Sequence, residues 1–333
     1  MSKSRFAALS LIALGVLAGC TTCGGGGSAL TPPPPPPAGR PEFDRSLAFS
    51  ALTTQCDFGP REPGSQGHED CRAWLVQQLT AVADSVVTQD FTSRTPMGGP
   101  YQFQNILGLF GTGQPGKPLL LGAHWDTRPV ADQDPNPANQ NTPILGANDG
   151  ASGVAVLLEL GRLMKQQVPS RPVIVAFFDA EDSGIGGTTS FPHQGFCIGS
   201  EYLASHWPAS VARPGEMILL DIVGTDQLNN PRLQKDGSTG GPEFKLEGNS
   251  LRSNPTLVNA IWSAAEQRGH KAFKRVTGQT ITDDHVPFIN RGIPAVDIIH
   301  FVPAEWHTVD DAPAHCSADT LYQVGDTLVD VIW

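Results

Sequence analysis

The run Val173-Ile-Val-Ala-Phe-Phe178 is followed at once by Asp179-Ala-Glu181-Asp182, so six apolar residues give way to three carboxylates within four positions. A run this short, rich in β-branched and aromatic side chains, reads as a strand buried on both faces. Three further runs share the pattern. Leu119-Leu-Leu-Gly-Ala123 leads into His124 and Asp126, Met217-Ile-Leu-Leu220 leads into Asp221, and Ala295 to Ile299 precedes the loop Glu305-Trp306-His307-Thr308. Helix-period segments fall between them at Gly153 to Lys165, with Asp149 just ahead, and at Asn254 to Arg268. Such alternation predicts an α/β fold: a single domain with a mixed, mostly parallel sheet and helices on both faces. Upstream, Arg45 to Cys56 and Gln66 to Ala83 read as helices. Val86 to Phe91 and Gln102 to Phe110 read as strands around a Pro96-Met-Gly-Gly-Pro100 turn, which predicts an antiparallel edge. Thr320 to Ile332 reads as a closing helix.

In an open α/β sheet the ligand crevice lies outside the carboxyl ends of the strands, so the polar groups at these ends should meet in one pocket. Singly, each has a plainer role. Asp149 before Gly150 suits a helix N-cap, and His124 suits a core histidine bonded to backbone. Jointly, carboxylates at neighbouring strand ends repel one another unless a cation holds them. Oxygen and imidazole donors without thiolate suit a catalytic zinc, which takes three protein ligands and keeps one position open.

Composition narrows the partners. The 333 residues are 39% hydrophobic and 17% charged, which is enough apolar material for a packed core and excludes a wholly disordered chain. Lys plus Arg number 22 against 33 Asp plus Glu, a formal charge of -11 with no basic run, so nucleic acid is not an expected partner. Gly111-Thr-Gly-Gln-Pro-Gly-Lys117 fails as a phosphate loop, because Pro118 stands where Ser or Thr must be and a strand follows. No GxSxG nucleophile elbow occurs.

The N-terminus reads as an address. Lys3 and Arg5 precede an apolar run from Phe6 to Leu17, too short to span a bilayer, and Leu17-Ala-Gly-Cys20 closes it. That ending resembles the lipobox of bacterial lipoproteins, which implies a signal peptide over residues 1–19 and a lipidated Cys20 anchoring the chain to a membrane. An ordinary cleaved signal with an incidental cysteine is the alternative. Gly24 to Gly27 and Pro32 to Pro37 then make a tether over residues 20–40, leaving a catalytic domain over 41–333 on the exported side. Export permits disulfides. Cys56 with Cys71 is the expected pair among the cysteines that remain, with free buried thiols as the alternative.

Four ordered motifs carry a resemblance over roughly Phe43 to Trp333. They are Ala123-His-Trp-Asp-Thr127, Gly146-Ala-Asn-Asp-Gly-Ala-Ser-Gly153, Phe177-Phe-Asp-Ala-Glu-Asp182 and Leu219-Leu-Asp-Ile222. In order and spacing they resemble the zinc-aminopeptidase-like superfamily. Asp283-Asp-His-Val-Pro-Phe288, Arg291-Gly-Ile-Pro294 and Glu305-Trp-His-Thr308 are similar to the animal-type glutaminyl cyclases within it. The resemblance implies one zinc per chain bound by Asp149, Asp182 and His307. It implies Glu181 as general base and acid, Asp221 and Asp284 as its hydrogen-bonded partners, and His124 and Trp306 along the substrate pocket. Implied too are substrates that are peptides or proteins with an N-terminal Gln, closed to pyroglutamate with loss of ammonia, and the chain is expected to be a monomer.

Two positions depart from the animal pattern. Asp182 is one methylene shorter than the Glu expected there, and Gly187 stands where those enzymes carry a tryptophan. The rival reading is a dinuclear zinc aminopeptidase using His124, Asp149 and Asp221 for a second metal, since all three are present. A non-catalytic binding module is the third reading; it usually loses a ligand or the base, and here neither is lost.

Overall fold

The computed structural model describes residues 39–186, 192–226 and 241–333. The signal peptide, Cys20, Cys23, the Gly and Pro runs of the tether up to residue 38, and Gly187 lie outside the described residues.

In chain order the elements are α1 (Arg45–Asp57), α2 (Gln66–Val82), β1 (Ser85–Thr95), β2 (Gly98–Phe110), β3 (Leu119–His124), α3 (Ala151–Gln166), β4 (Val173–Phe178) and α4 (Ile198–Ser205). Then follow β5 (Glu216–Asp221), β6 (Phe244–Leu246), α5 (Gly248–Ser253), α6 (Pro255–Arg268), β7 (Phe273–Thr277), α7 (His285–Ile289), β8 (Ala295–Ile299) and α8 (Ala318–Ile332). Six strands form the main sheet in the order β1-β2-β4-β3-β5-β8. β1, β2 and β4 pair antiparallel, and β4, β3, β5 and β8 pair parallel. The expected antiparallel edge is there, with strands that run on through Gly98 and Pro100, so the turn narrows to Pro96 and Met97.

Alternation along each inner strand fills both faces. Leu119, Leu121, Val173, Val175, Ile218 and Leu220 join one apolar cluster with residues of α1, α2, α3, α6 and α8. Leu120, Ile174, Ala176, Met217 and Leu219 join a second with Leu203 of α4 and Phe288 of α7. A strand with a helix layer on each face has no solvent side, which is why these segments read as unbroken apolar runs. The order places β3 between β4 and β5, so the chain steps from β3 to β4 on one side and then crosses back past β3 to reach β5 on the other. That switch point opens the crevice at the carboxyl ends.

Two local devices fix the crevice floor. The ideal Cβ of an alanine at Gly153 would lie 2.3 Å from the Leu220 carbonyl oxygen, so α3 approaches β5 as closely as only glycine permits. Arg61, fully buried, donates from Nε to the Trp125 carbonyl at 3.0 Å, from Nη1 to Leu145 at 2.7 Å and from Nη2 to Gly146 at 2.9 Å. It ties the α1–α2 connection to the loop that carries Asp149. Arg61→Met keeps the bulk and leaves the Trp125 and Leu145 carbonyls without their donor, while Gly146 keeps the Ala151 N–H. Urea unfolding is expected to show a loss of roughly 3–5 kcal/mol.

The expected disulfide does not form. Cys56 and Cys71 are both free and buried, on α1 and α2, where each packs as a small hydrophobe in the main core. Burial pushes their thiols up, to about 11 and about 12. Short elements escaped the sequence reading: α4, α5 and α7, and the parallel pair β6–β7.

Candidate active site

Each side chain of the site comes from the end of a strand or the loop after it. His124 ends β3, the Asp179–Asp182 corner follows β4, Asp221 ends β5, and His307 lies past β8. Asp149 stands one residue ahead of Gly150, the N-cap of α3. Gly150 has φ 106°, and no side chain caps this helix, so the N-cap role considered for Asp149 is not the one it fills.

Asp149, Asp182 and His307 bring one donor atom each within 4.8 Å of one another. His307 Nε2 lies 3.6 Å from Asp149 Oδ2 and 3.3 Å from Asp182 Oδ1. All three are buried, at 4%, 1% and 3% exposure. Asp182 Oδ1 accepts from Arg128 Nη1 at 3.0 Å, whereas its buried Oδ2 has no hydrogen-bond partner. Two carboxylates and an imidazole, one of them with an orphaned oxygen, fit a divalent zinc. His124, Asp149 and Asp221 form a second such group, with His124 Nε2 at 3.0 Å from Asp149 Oδ1 and 3.2 Å from Asp221 Oδ1.

Surrounding groups hold these donors in place. Asp311 accepts the N–H groups of Asn148 at 2.7 Å and Asp149 at 3.1 Å. Asp126 accepts those of Glu181 at 2.9 Å and Asp182 at 3.1 Å, which fixes the corner after β4. Arg128 spans Asp182 and Asp132, and Asp132 Oδ1 lies 3.4 Å from His307 Nδ1. Such outer contacts set a ligand's orientation. His307 itself takes φ 53°, a left-handed conformation that costs energy outside glycine and is held here by its neighbours.

A cavity of about 230 Å³ opens over this group. Its polar side is Asp149, Glu181, Asp182, Asp221, Asp283 and His307, and its apolar side includes Ile281, Ile299, Phe301 and Trp306. Trp306 stacks on His307 with ring centroids 3.7 Å apart.

Three details differ from the sequence expectation. His124 does not line the pocket; at 1% exposure it sits behind Asp149 and Asp221, because β3 runs through the centre of the sheet. Asp284 does not bond Glu181, since it turns away to accept the Ser200 hydroxyl. Its neighbour Asp283 faces the cavity instead, with an oxygen within 4.8 Å of Glu181 and Cys197. Asp221 bonds His124, not Glu181. Among the described residues the one side chain bonded to the Glu181 carboxylate is Cys197, Sγ to Oε1 at 3.5 Å. Arg128, Asp283, Asp311 and Cys197 were missed; the acidic pair Asp283-Asp284 was the only signal, and it does not say which member faces inward.

Crowded carboxylates in low dielectric divide their titration. Burial first, then Asp182, Asp284 and Asp283, push the Glu181 carboxyl well above the usual carboxylate range against the pull of His124. Asp149 rises to about 6 through burial and the Asp182 charge. Asp182 goes the other way: burial opposes its charge, but His307 and Arg128 hold it below the ordinary range. Burial also opposes the charge on His307, yet Asp182 and Asp132 raise it to about 9.

Residues 105–332 match the sequence model of peptidase family M28. The chain is 27% identical over 287 residues to a glutaminyl-peptide cyclotransferase of Bos taurus, spanning 78% of this chain and 74% of that protein. Two solved Bacteroides thetaiotaomicron structures are each 36% identical to it, covering 88% of this chain and 98% of theirs. One is a glutaminyl cyclase bound to N-acetylhistamine, with a TM-score of 0.79, and the other a leucine aminopeptidase precursor, with a TM-score of 0.80. Strand order, buried donor set and a match that spans well over half of the sequence agree, and the chain belongs to peptidase family M28.

Proposed function

We infer that this chain is a zinc-dependent glutaminyl-peptide cyclotransferase, which closes the N-terminal Gln of a peptide or protein to pyroglutamate and releases ammonia. The observation that carries this reading is a protonatable, cavity-facing Glu181 beside a three-donor metal group, in a chain 36% identical to a solved glutaminyl cyclase. Asp149, Asp182 and His307 would hold the zinc. When bound, it supplies Lewis-acid polarisation of the γ-carbonyl, worth several kcal/mol in the transition state.

The rest falls to the protein. The N-terminal Gln would enter the cavity over the donor group, with the chain beyond it left at the open side. Ile281, Ile299, Phe301 and Trp306 exclude water and hold the side chain folded back toward its own α-amine. Ring closure is intramolecular, so holding the reactive rotamer supplies much of the rate. A Glu181 oxygen takes a proton from the attacking amine and returns it to the departing nitrogen. Asp221 and Asp283 face the same space, and Asp283, with Asp182 and Asp284, keeps that carboxyl's proton affinity high. Asp284 acts one step removed, through Ser200 at the start of α4.

A dinuclear aminopeptidase is the second reading, favoured by the His124, Asp149 and Asp221 group. Incubation with a Gln-initiated peptide separates the two. Cyclisation removes 17 mass units, fixed by ammonia itself, and is expected to stop on chelation. Release of free amino acids from peptides lacking Gln would establish the peptidase.

We also propose that residues 1–19 direct export, that Cys20 carries lipid, and that residues 20–40 tether the catalytic domain to the outer side of a membrane. Lys3, Arg5, the apolar run to Leu17 and the Leu17-Ala-Gly-Cys20 ending support it.

A further inference from the structure

Cys197 lies sixteen positions after Glu181 and returns to it in space through two donors. Its backbone N–H donates to the Glu181 carbonyl at 2.9 Å, and its Sγ lies 3.5 Å from Glu181 Oε1. The next residue repeats the clamp, with Ile198 N–H on the Ala180 carbonyl at 3.1 Å. Cys197 takes φ 57°, a left-handed conformation uncommon outside glycine, asparagine and aspartate, at the N-cap of α4. Gly199 then packs so tightly that an added Cβ would lie 2.1 Å from the Asp179 carbonyl oxygen. The first turn of α4 is thus pressed onto the corner that carries Glu181, which sets the thiol beside its carboxylate.

We propose that Cys197 is a positioning residue for the reaction: its S–H fixes Glu181 Oε1 and leaves Oε2 to exchange the proton with substrate. The proposal rests on Glu181 being the general base. Burial and the nearby carboxylates push the thiol well above its ordinary value, so it stays protonated and can donate. The side chain is fully buried, and no other side-chain acceptor takes its proton among the described residues. A hydrogen bond to a charged acceptor is worth about a factor of ten in a rate when it is lost.

Alanine and serine are close in size and differ in the donor, so the two variants separate bonding from packing. The assay is kcat and KM on a Gln-initiated peptide, with melting temperature and zinc content measured on the same preparations. Cys197→Ala is expected to lower kcat about tenfold at unchanged KM and zinc content, and Cys197→Ser to stay within about threefold of the parent. Equal kcat in the two variants, or a loss that appears in KM or follows the melting temperature, overturns the proposal. Absence of cyclisation by the parent chain would instead count against the proposed activity.

Discussion

Glu181→Gln is expected to lower kcat for cyclisation by about 10²–10⁴-fold, with KM and zinc content nearly unchanged. The substitution keeps the shape of the side chain, keeps an oxygen for the Cys197 thiol, and leaves the Glu181 and Asp182 N–H groups on Asp126. It removes the one property the reaction uses, an oxygen that can accept a proton and give it back. The neighbouring carboxyls do not substitute for it easily. Asp221 is bonded by His124 and Asp284 by Ser200, which leaves Asp283 as the cavity-facing carboxyl beside Glu181. Turnover within a few-fold of the parent would move the proton transfer to another group, with Asp283 the first to examine.

Asp182→Ala is expected to cost more than activity. It deletes both the orphaned Oδ2 and the Oδ1 that pairs with His307 and Arg128. Tight zinc binding should be lost and kcat should fall by about 10³-fold or more, the equivalent of several kcal/mol. Arg128 keeps its two bonds to Asp132, so the fold has a partner for that buried charge and should survive. Added zinc should raise the melting temperature of the parent and not of the variant, because only a ligand that binds the native state stabilises it. Equal zinc content in parent and variant would contradict the assignment.

What the sequence disclosed depended on how much of each signal was local. β3, β4 and β5 were legible because a strand covered on both faces must be apolar throughout and must stop where its polar end meets the crevice, and β8 was legible from the apolar residues on either side of its buried Asp297. The position of Asp149, Asp182 and His307 at such ends followed from the same rule. The inward member of Asp283-Asp284 was not legible, since adjacent residues entering a five-residue helix differ only by the path of the backbone. Arg128 and Asp311 sit in loops, where no periodicity marks direction. Cys197 reaches Glu181 across a loop, a contact that no spacing encodes. Cys56 and Cys71 offered a plausible pair by spacing, and the core took both as apolar side chains.

Anomalous X-ray scattering at the zinc edge, from crystals grown with zinc, tests the central claim most directly. One peak per chain, coordinated by Asp149, Asp182 and His307 with Glu181 free beside it, is the expected result. Two peaks, the second held by His124 and Asp221, would contradict it and turn the site toward hydrolysis.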